Sequence, residues 1–349
     1  MKPQKKILFF IIAAILPVLI LHCISKRNAE KKNGFMRVFS NVTVKEEANL
    51  NINYDSFYIS GFDSERFYLG NYTASLLLLN CDYHLKDTIH QIMPISLFKN
   101  VDRGNLHSQI NPPNLYLTET NTPTLIMART PYGQERKVFL GDLRFDIFHY
   151  LSPSSFIIRY FDFNLSQLVL QKISIQSTII RGKKYIPTKQ IDGNFSVDGN
   201  LTYNKLNHQF IYSYYYRNEF ICLDTNLNEL FIGHTIDTTT IARLTIKKLN
   251  SKGSTETMLA APPLYVSKRC ITNGKWIYIN SALVSDTENR AEFKRYSVID
   301  IYNSTTGSYH GSIKLPDHQG NKLRDFAVSD NKLIAIFGEY LVVYTINVP

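Results

Sequence analysis

Between Arg66 and Lys332 apolar and polar positions alternate in short bursts, and six bursts open on one phrase: a polar residue, a bulky apolar or aromatic residue, then more strand-formers. The copies are Arg66-Phe67-Tyr68-Leu69, Asn114-Leu115-Tyr116-Leu117, Ser155-Phe156-Ile157-Ile158, Gln209-Phe210-Ile211-Tyr212, Lys275-Trp276-Ile277-Tyr278 and Lys332-Leu333-Ile334-Ala335. β-Branched and aromatic side chains suit a pleated, buried surface, so each copy predicts a strand. The copies start 48, 41, 54, 66 and 57 residues apart. That recurrence is one supersecondary unit repeated, at the spacing expected of propeller blades.

Each copy expands into a blade of short antiparallel strands. In the first, Tyr54–Ser60, Arg66–Asn71 and Ser75–Cys81 predict three strands; the turn Asp82-Tyr83-His84-Leu85 leads to an outer strand near Ile89–Met93. The fourth repeats the arrangement with Gln209–Tyr215, Glu219–Leu223 and the turn Asp224-Thr225-Asn226-Leu227. A polar insertion, Ser285–Glu292, lengthens the fifth. The last offers Phe326–Ser329, Leu333–Phe337 and Leu341–Ile346 and lacks a fourth strand. The alternating stretch Arg37–Val44 is expected to supply it, closing the ring and removing open sheet edges. The predicted fold class is all-β: a β-propeller over residues 36–349, six blades being the expected count with five or seven as alternatives. A two-sheet sandwich is the alternative architecture. No segment after residue 35 holds a sustained helical period, so large helical insertions are not expected.

In blade spacing and strand pattern, residues 36–349 resemble the six-bladed, TolB-like propellers of bacterial envelope proteins. The chain has no YWTD repeat, Trp-Asp dipeptide or NHL-type signature, so the resemblance carries no residue role. It implies a module that binds peptides, proteins or glycans.

Residues 1–35 form a separate unit. No charge falls between Ile7 and Ser25, and 19 uncharged residues make a helix about 28 Å long, enough to cross a bilayer core. Lys2, Lys5 and Lys6 precede it and no small-x-small cleavage site follows, which predicts an uncleaved signal anchor. The expected membrane contact is residues 7–24, with the propeller outside the cytoplasm, on the periplasmic side in a bacterium. The alternatives are a lipoprotein modified at Cys23, although His22 stands where a small residue is usual, or a secreted protein.

Charge follows the same division. Of the net +10, residues 1–32 hold +6 and the remaining body only +4, so the body has no dense cationic face and nucleic acid is not an expected partner. Cys23, Cys81, Cys222 and Cys270 form no C-x-x-C pair and have no His at metal spacing; Cys81 and Cys222 read as buried thiols at strand ends. The nine histidines are scattered, with His84 and His90 expected to face solvent. Asp142 and Asp146, flanking Arg144, read as a solvated charged segment. With no D-x-D-x-D loop, glycine-rich phosphate loop or G-x-S-x-G, no catalytic residue, metal ligand or cofactor is predicted. The turns between second and third strands gather on one face of a propeller. They nominate Tyr72, Glu119, Tyr216, Arg217, Asn218, Asp286 and Glu339 as contacts for a protein, peptide or glycan partner, since Tyr and Arg anchor interfaces well. The expected function is a membrane-anchored binding or scaffold module. The alternative is a metal-dependent hydrolase or lyase working in the central channel.

Overall fold

The apolar bursts form strands that fold back on their neighbours in sequence. The computed structural model describes residues 13, 15–20, 32–39, 42–94, 104, 106–129, 133–251 and 254–349. Strand β1 (Thr43–Asn51) precedes the first meander, β2 (Phe57–Phe62), β3 (Arg66–Asn71), β4 (Leu77–Asp82) and β5 (Thr88–Ile92). The second is β6 (Leu106–Asn111), β7 (Asn114–Glu119), β8 (Thr124–Arg129) and β9 (Gly133–Phe139). The third is β10 (Phe145–Ser152), β11 (Ser155–Asp162), β12 (Gln167–Ile175) and β13 (Ile179–Tyr185). The fourth is β14 (Gly199–Asn204), β15 (Gln209–Tyr214), β16 (Glu219–Asp224) and β17 (Glu229–His234). A separate hairpin, β18 (Ile246–Ser251) with β19 (Ser254–Leu259), follows. The fifth meander is β20 (Ser267–Asn273), β21 (Trp276–Ser281), β22 (Tyr296–Asn303) and β23 (Tyr309–Pro316). The last is β24 (Leu323–Ser329), β25 (Lys332–Phe337) and β26 (Tyr340–Asn347), with β1 as its fourth strand.

Among the described residues these are six four-stranded meanders. Their first strands, β2, β6, β10, β14, β20 and β24, touch one another in that order, and β24 returns to β2. The chain is all-β with the architecture of a β-propeller. The first two meanders are joined by a parallel contact between Gly61 and Ile110. A Cβ on Gly61 would lie 1.9 Å from the Ile110 carbonyl oxygen, so only glycine permits this approach.

The core lies between neighbouring meanders, and strand alternation explains how one strand serves two of them. On β11, Phe156 and Ile158 pack with Tyr116 and Leu125 of the second meander, while Ile157 packs with Phe210 and Tyr212 of the fourth. On β15, Ile211 turns the other way, to Cys270, Ile277 and Ile279 of the fifth. The repeated phrase marks these doubly buried second strands: five copies start on the first residue of β3, β7, β11, β15 or β25, and the sixth starts one residue before β21. Cys81, Cys222 and Cys270 are buried and free.

The longest interval between copies contains the β18–β19 hairpin, which the repeat pattern did not foresee. The closing strand is also displaced. It is Thr43–Asn51, paired from Thr43↔Asn347 to Asn51↔Tyr340, and not the predicted Arg37–Val44. The reason is Arg37, whose charge finds its partners in the fifth meander. Residues 33–39 run along that meander as a strap: Phe35 packs on Val266 and Leu283, and Ser312 N donates to Val38 O. Arg37 is buried, with Nε 2.8 Å from Asp300 Oδ1, Nη2 2.7 Å from Ser281 Oγ, and Nη1 on Glu288.

Of the predicted anchor, residues 7–12, 14 and 21–24 lie outside the described residues, as does Cys23. Residues 13 and 15–20 are helical, and Ile15, Leu16, Val18, Leu19 and Ile20 are exposed. Among the described residues no helix is long and apolar enough to cross a membrane.

Candidate functional site

Each meander starts at its inner strand and reverses at every turn. The starts of the inner strands and the turns between second and third strands therefore share one face, the loop face. A cavity of about 960 Å³ reaches from this face into the channel. It is lined by the first halves of all six inner strands, through residues such as Ser60, His107, Asp146, Asn200, Arg269 and Asp325. A smaller chamber of about 150 Å³ is lined by their second halves, including Gly61, Asn111, Thr202 and Ile271. Ile59, Ser60, Gln109, His149 and Arg269 border both chambers and form the waist between them.

One wall of the large cavity is cationic. Lys268 and Arg269 of β20 stand beside Arg324 and Asp325 of β24. Arg269 Nε lies 3.0 Å from Asp325 Oδ1, an ion pair by distance but off the hydrogen-bonding direction. Asp325 also accepts from the backbone N–H groups of Phe326 (2.9 Å) and Ile59 (3.1 Å), the latter on the next meander. Arg324 donates to Phe57 O at 2.5 Å across the same seam. Lys268 makes no ion pair among the described residues; burial, with repulsion from Lys322, lowers its pKa.

The adjoining wall, from the first and second meanders, is aromatic. The rings of Tyr58 and His107 stack with centroids 4.1 Å apart, and Tyr72 leans on Tyr58 at 4.5 Å. Tyr58 is fixed by its hydroxyl, which accepts from Ser108 N at 2.7 Å and lies 3.0 Å from Ser108 Oγ. Burial pushes that phenol up to about 12, so it stays neutral. His107 lies deep in the molecule but is open to cavity water; burial drives its pKa down, with Arg269 acting the same way.

The third meander contributes Asp146, gripped by Arg159 through Nε at 2.9 Å and Nη2 at 2.5 Å. Arg159 Nη1 also reaches Asp198 Oδ1 (2.7 Å), Gly199 O (2.9 Å) and Tyr212 Oη (2.9 Å). Burial opposes its charge, but Tyr212, Asp146 and Asp198 outweigh burial and hold its pKa well above the ordinary value. The cavity is thus lined by four cationic side chains, Arg159, Lys268, Arg269 and Arg324, against two carboxylates, Asp146 and Asp325. Arg159 is spoken for, so the cations open to a ligand are those of the fifth and sixth meanders.

At the waist, His149 Nε2 lies 2.7 Å from Leu201 O, an acceptor, so this nitrogen carries the proton. Nδ1 then accepts from Gln109 Nε2 at 3.4 Å, and Gln109 Oε1 takes the N–H of Tyr150 at 2.9 Å. Burial pushes His149 down to about 4, and both its nitrogens are occupied, so it is a neutral positioning group and not a free base. Among the described residues no group of three or more His, Cys, Asp or Glu side chains is placed to hold a metal ion.

Of the residues nominated from turns, the structure brings Tyr72 to the cavity. The others lie on the loop face but outside that lining. Glu119 is buried and caps its own turn, accepting from the N–H groups of Asn121 and Thr122, each at 2.7 Å. Tyr216 is buried against Tyr265. Arg217 is buried, stacked on the Tyr214 ring at 3.4 Å and donating to Ser196 O, Thr188 O and Glu219. Asn218 Nδ2 donates to Asp237 O at 2.6 Å. Asp286 accepts from Asn33 N (2.6 Å) and Gly34 N (3.1 Å), fastening the strap. Glu339 accepts from Asn51 Nδ2 at 3.1 Å, at the end of the closing strand. Tyr215, inside the same tyrosine run, does line the cavity. His84 and His90 face solvent as expected, whereas Asp146 does more than solvate a loop.

The sequence pattern does not point to His107, Gln109, His149, Lys268, Arg269 and Arg324, because they lie within inner strands and not in turns. The available signal was a polar or charged residue within the first strand of each repeat, where a sheet buried between neighbours would otherwise be apolar.

No protein-family model and no curated protein matches the chain. Solved structures do. A member of the duf4221 family from Bacteroides vulgatus is 10% identical with TM-score 0.51, over 91% of this chain and 99% of that one. A streptogramin B lyase is 10% identical with TM-score 0.49, over 89% and 100%. A gluconolactonase from Xanthomonas campestris is 8% identical with TM-score 0.43, over 89% and 92%. At 10% identity the likeness to the duf4221 structure is one of fold.

Proposed function

We propose that the six meanders are six blades of a TolB-like propeller that is tethered to a membrane through residues 7–24, stands outside the cytoplasm, and binds an anionic peptide or glycan in the mouth of its channel. The observation that carries this reading is the cavity's two-sided lining. Lys268, Arg269 and Arg324 stand next to Tyr58, Tyr72 and His107 around a cavity of about 960 Å³, room for an extended ligand. Guanidinium and ammonium groups hold carboxylate or phosphate, and Tyr and His rings offer flat faces on which a sugar or planar side chain stacks. Both histidines are held neutral well above pH 4, so the cavity's positive charge near neutrality comes from Lys and Arg alone. The site holds its ligand, a reading supported by the waist histidine, both of whose nitrogens are engaged.

The test uses the full chain in detergent, titrated with a fluorescent oligogalacturonate, a glutamate-rich peptide and a neutral oligosaccharide. One anionic probe should bind, more weakly as salt rises, and the neutral sugar should not. Lys268→Glu with Arg324→Glu should weaken binding at least about tenfold, the equivalent of about 1.4 kcal/mol. Unchanged affinity in that variant refutes the cavity assignment, and turnover of a probe refutes the binding-module reading in favour of an enzyme.

A further inference from the structure

The strap fixes where the tether leaves the propeller. Asn33 Nδ2 donates to Val284 O at 2.7 Å, its N–H reaches Asp286, and its carbonyl accepts from Thr238 Oγ1 at 2.8 Å. Val284 and Asp286 belong to the turn between β21 and β22, and Thr238 to the segment following β17, so all three lie on the loop face. From Asn33 the chain descends past Ser312 and enters β1 at the opposite face, where Thr43 pairs with Asn347. The tether therefore emerges on the face that carries the cavity mouth.

Two further observations bear on that face. First, the expected membrane segment ends at residue 24, and nine residues span at most about 30 Å, so the loop face is held close to any bilayer that takes the segment. Second, exposed apolar side chains gather there. Tyr54, Tyr72, Phe163, Leu165, Ile191 and Ile241 project from its turns and connections, Phe163 at 83% and Ile241 at 66% exposure. Among the described residues, the turns of the opposite face expose one large apolar side chain, Leu206. Cations accompany the apolar set: Lys268 and Arg324 at the mouth, and Lys32 next to Asn33; in the sequence before it, Lys26, Arg27 and Lys31 stand against Glu30.

We propose that the loop face docks on the surface of an anionic phospholipid bilayer, with Phe163, Leu165, Ile191 and Ile241 entering its interfacial zone and the cavity mouth turned toward the membrane. Apolar loop tips gain by leaving water for the headgroup boundary, and flanking Lys and Arg side chains are attracted by anionic headgroups. The ligand of the cavity is then one met at the membrane surface, and the opposite face is left open. This inference rests on the tether of the proposed function but not on the identity of the ligand.

The experiment places one fluorescent label per molecule on the full chain carrying Cys23→Ser, at Leu165→Cys or Ile241→Cys on the loop face, or at Leu206→Cys on the other. Cys81, Cys222 and Cys270 are buried and stay unlabelled in the folded protein. Each protein is reconstituted into phosphatidylcholine vesicles with or without phosphatidylglycerol, containing a lipid that quenches at headgroup depth. Labels at 165 and 241 should be quenched, more strongly with phosphatidylglycerol and less at high salt, while the label at 206 should not. Equal quenching at all three sites, or quenching at 206 alone, overturns the orientation. Loop-face labels left open to water, the result expected if a protein partner covers that face, overturn it as well. Protein washed from the vesicles at alkaline pH would instead remove the tether, and with it both readings; retained protein with unquenched labels removes only this one.

Discussion

Replacing Arg37 by methionine takes away the cation around which one side of the fifth meander is organised. The guanidinium has no exposed side-chain surface and Asp300 almost none, and Ser281, Glu288 and Asp300 all turn polar atoms toward it. Asp300 keeps one other side-chain donor, Ser312 Oγ at 2.5 Å. Burial already pushes the Asp300 carboxyl up, and Arg37 is the main group opposing that shift. Losing one partner of a buried pair leaves an uncompensated charge, which costs about 3–5 kcal/mol. For a chain of this size that corresponds to a fall in Tm of about 4–7 °C. The double variant Arg37→Met with Asp300→Asn removes one of the two stranded charges, leaving Glu288 with the Ser285 N–H and the Tyr296 hydroxyl, and should recover part of the loss. The pH dependence has a definite sign. Without Arg37 the folded-state pKa of Asp300 lies above its unfolded value, so the folded state binds the proton more tightly. The deficit is then largest above that raised pKa and shrinks as pH falls through it. Thermal melts followed by circular dichroism at neutral and acidic pH measure both effects. A single variant melting within about 1 °C of the parent, or a deficit that widens in acid, refutes the reasoning.

Two other perturbations test the channel. His149, depressed to about 4 by burial, is protonated in the unfolded chain before the folded one, so folding should lose up to about 3 kcal/mol as pH drops from 6.5 to 4. His149→Gln, which keeps a donor for Leu201 O, should flatten that part of the stability profile measured by urea titration; an unchanged slope would contradict the assignment. Gly61→Ala sets a methyl against the Ile110 carbonyl, 1.9 Å away, and should cost at least about 1–3 kcal/mol by forcing the first two meanders apart. A melting temperature equal to the parent's would show that the seam is looser than its geometry.

The repeated phrase was legible because it marks strands buried on both faces, where the sequence has little freedom: Phe67, Leu115, Phe156, Phe210, Ile277 and Leu333 are all fully buried. The inner strands were harder to read. Their residues split between packing and a water-filled channel, so Lys268-Arg269 and His107 break the apolar alternation on which strand prediction depends. Closure was expected from the missing strand of the last meander, but the segment was placed too early. Arg37–Val44 alternates like a strand, and nothing in local pattern says that Arg37 belongs to Asp300, 263 residues away. The insertion Ser285–Glu292 was visible as an insertion. Its role was not, because Asp286 and Glu288 look like solvated acids until the strap arrives to meet them. The turn candidates failed to reach the cavity for one physical reason: Glu119, Arg217 and Asn218 satisfy local backbone groups, which polar turn residues do wherever a buried N–H or C=O lacks a strand partner.

The cationic wall has a second duty that couples binding to closure. The seam between the last and first meanders is crossed by Arg324 to Phe57 O and by Asp325 to Ile59 N, and both residues line the cavity. A ligand that draws the Arg324 guanidinium inward competes with Phe57 O for its donors, while one that uses its remaining nitrogens leaves the seam fastened. Arg324→Lys separates these cases, since an ammonium keeps the charge but lacks the planar fork that can serve both sides at once. If the two duties are shared, this substitution should lower the melting temperature of the ligand-free protein by about 2 °C or more, the equivalent of one lost charge-assisted hydrogen bond, and weaken anionic probe binding several-fold. Loss of binding with unchanged melting would mean that Arg324 faces the ligand alone and that β1 closes the ring without it.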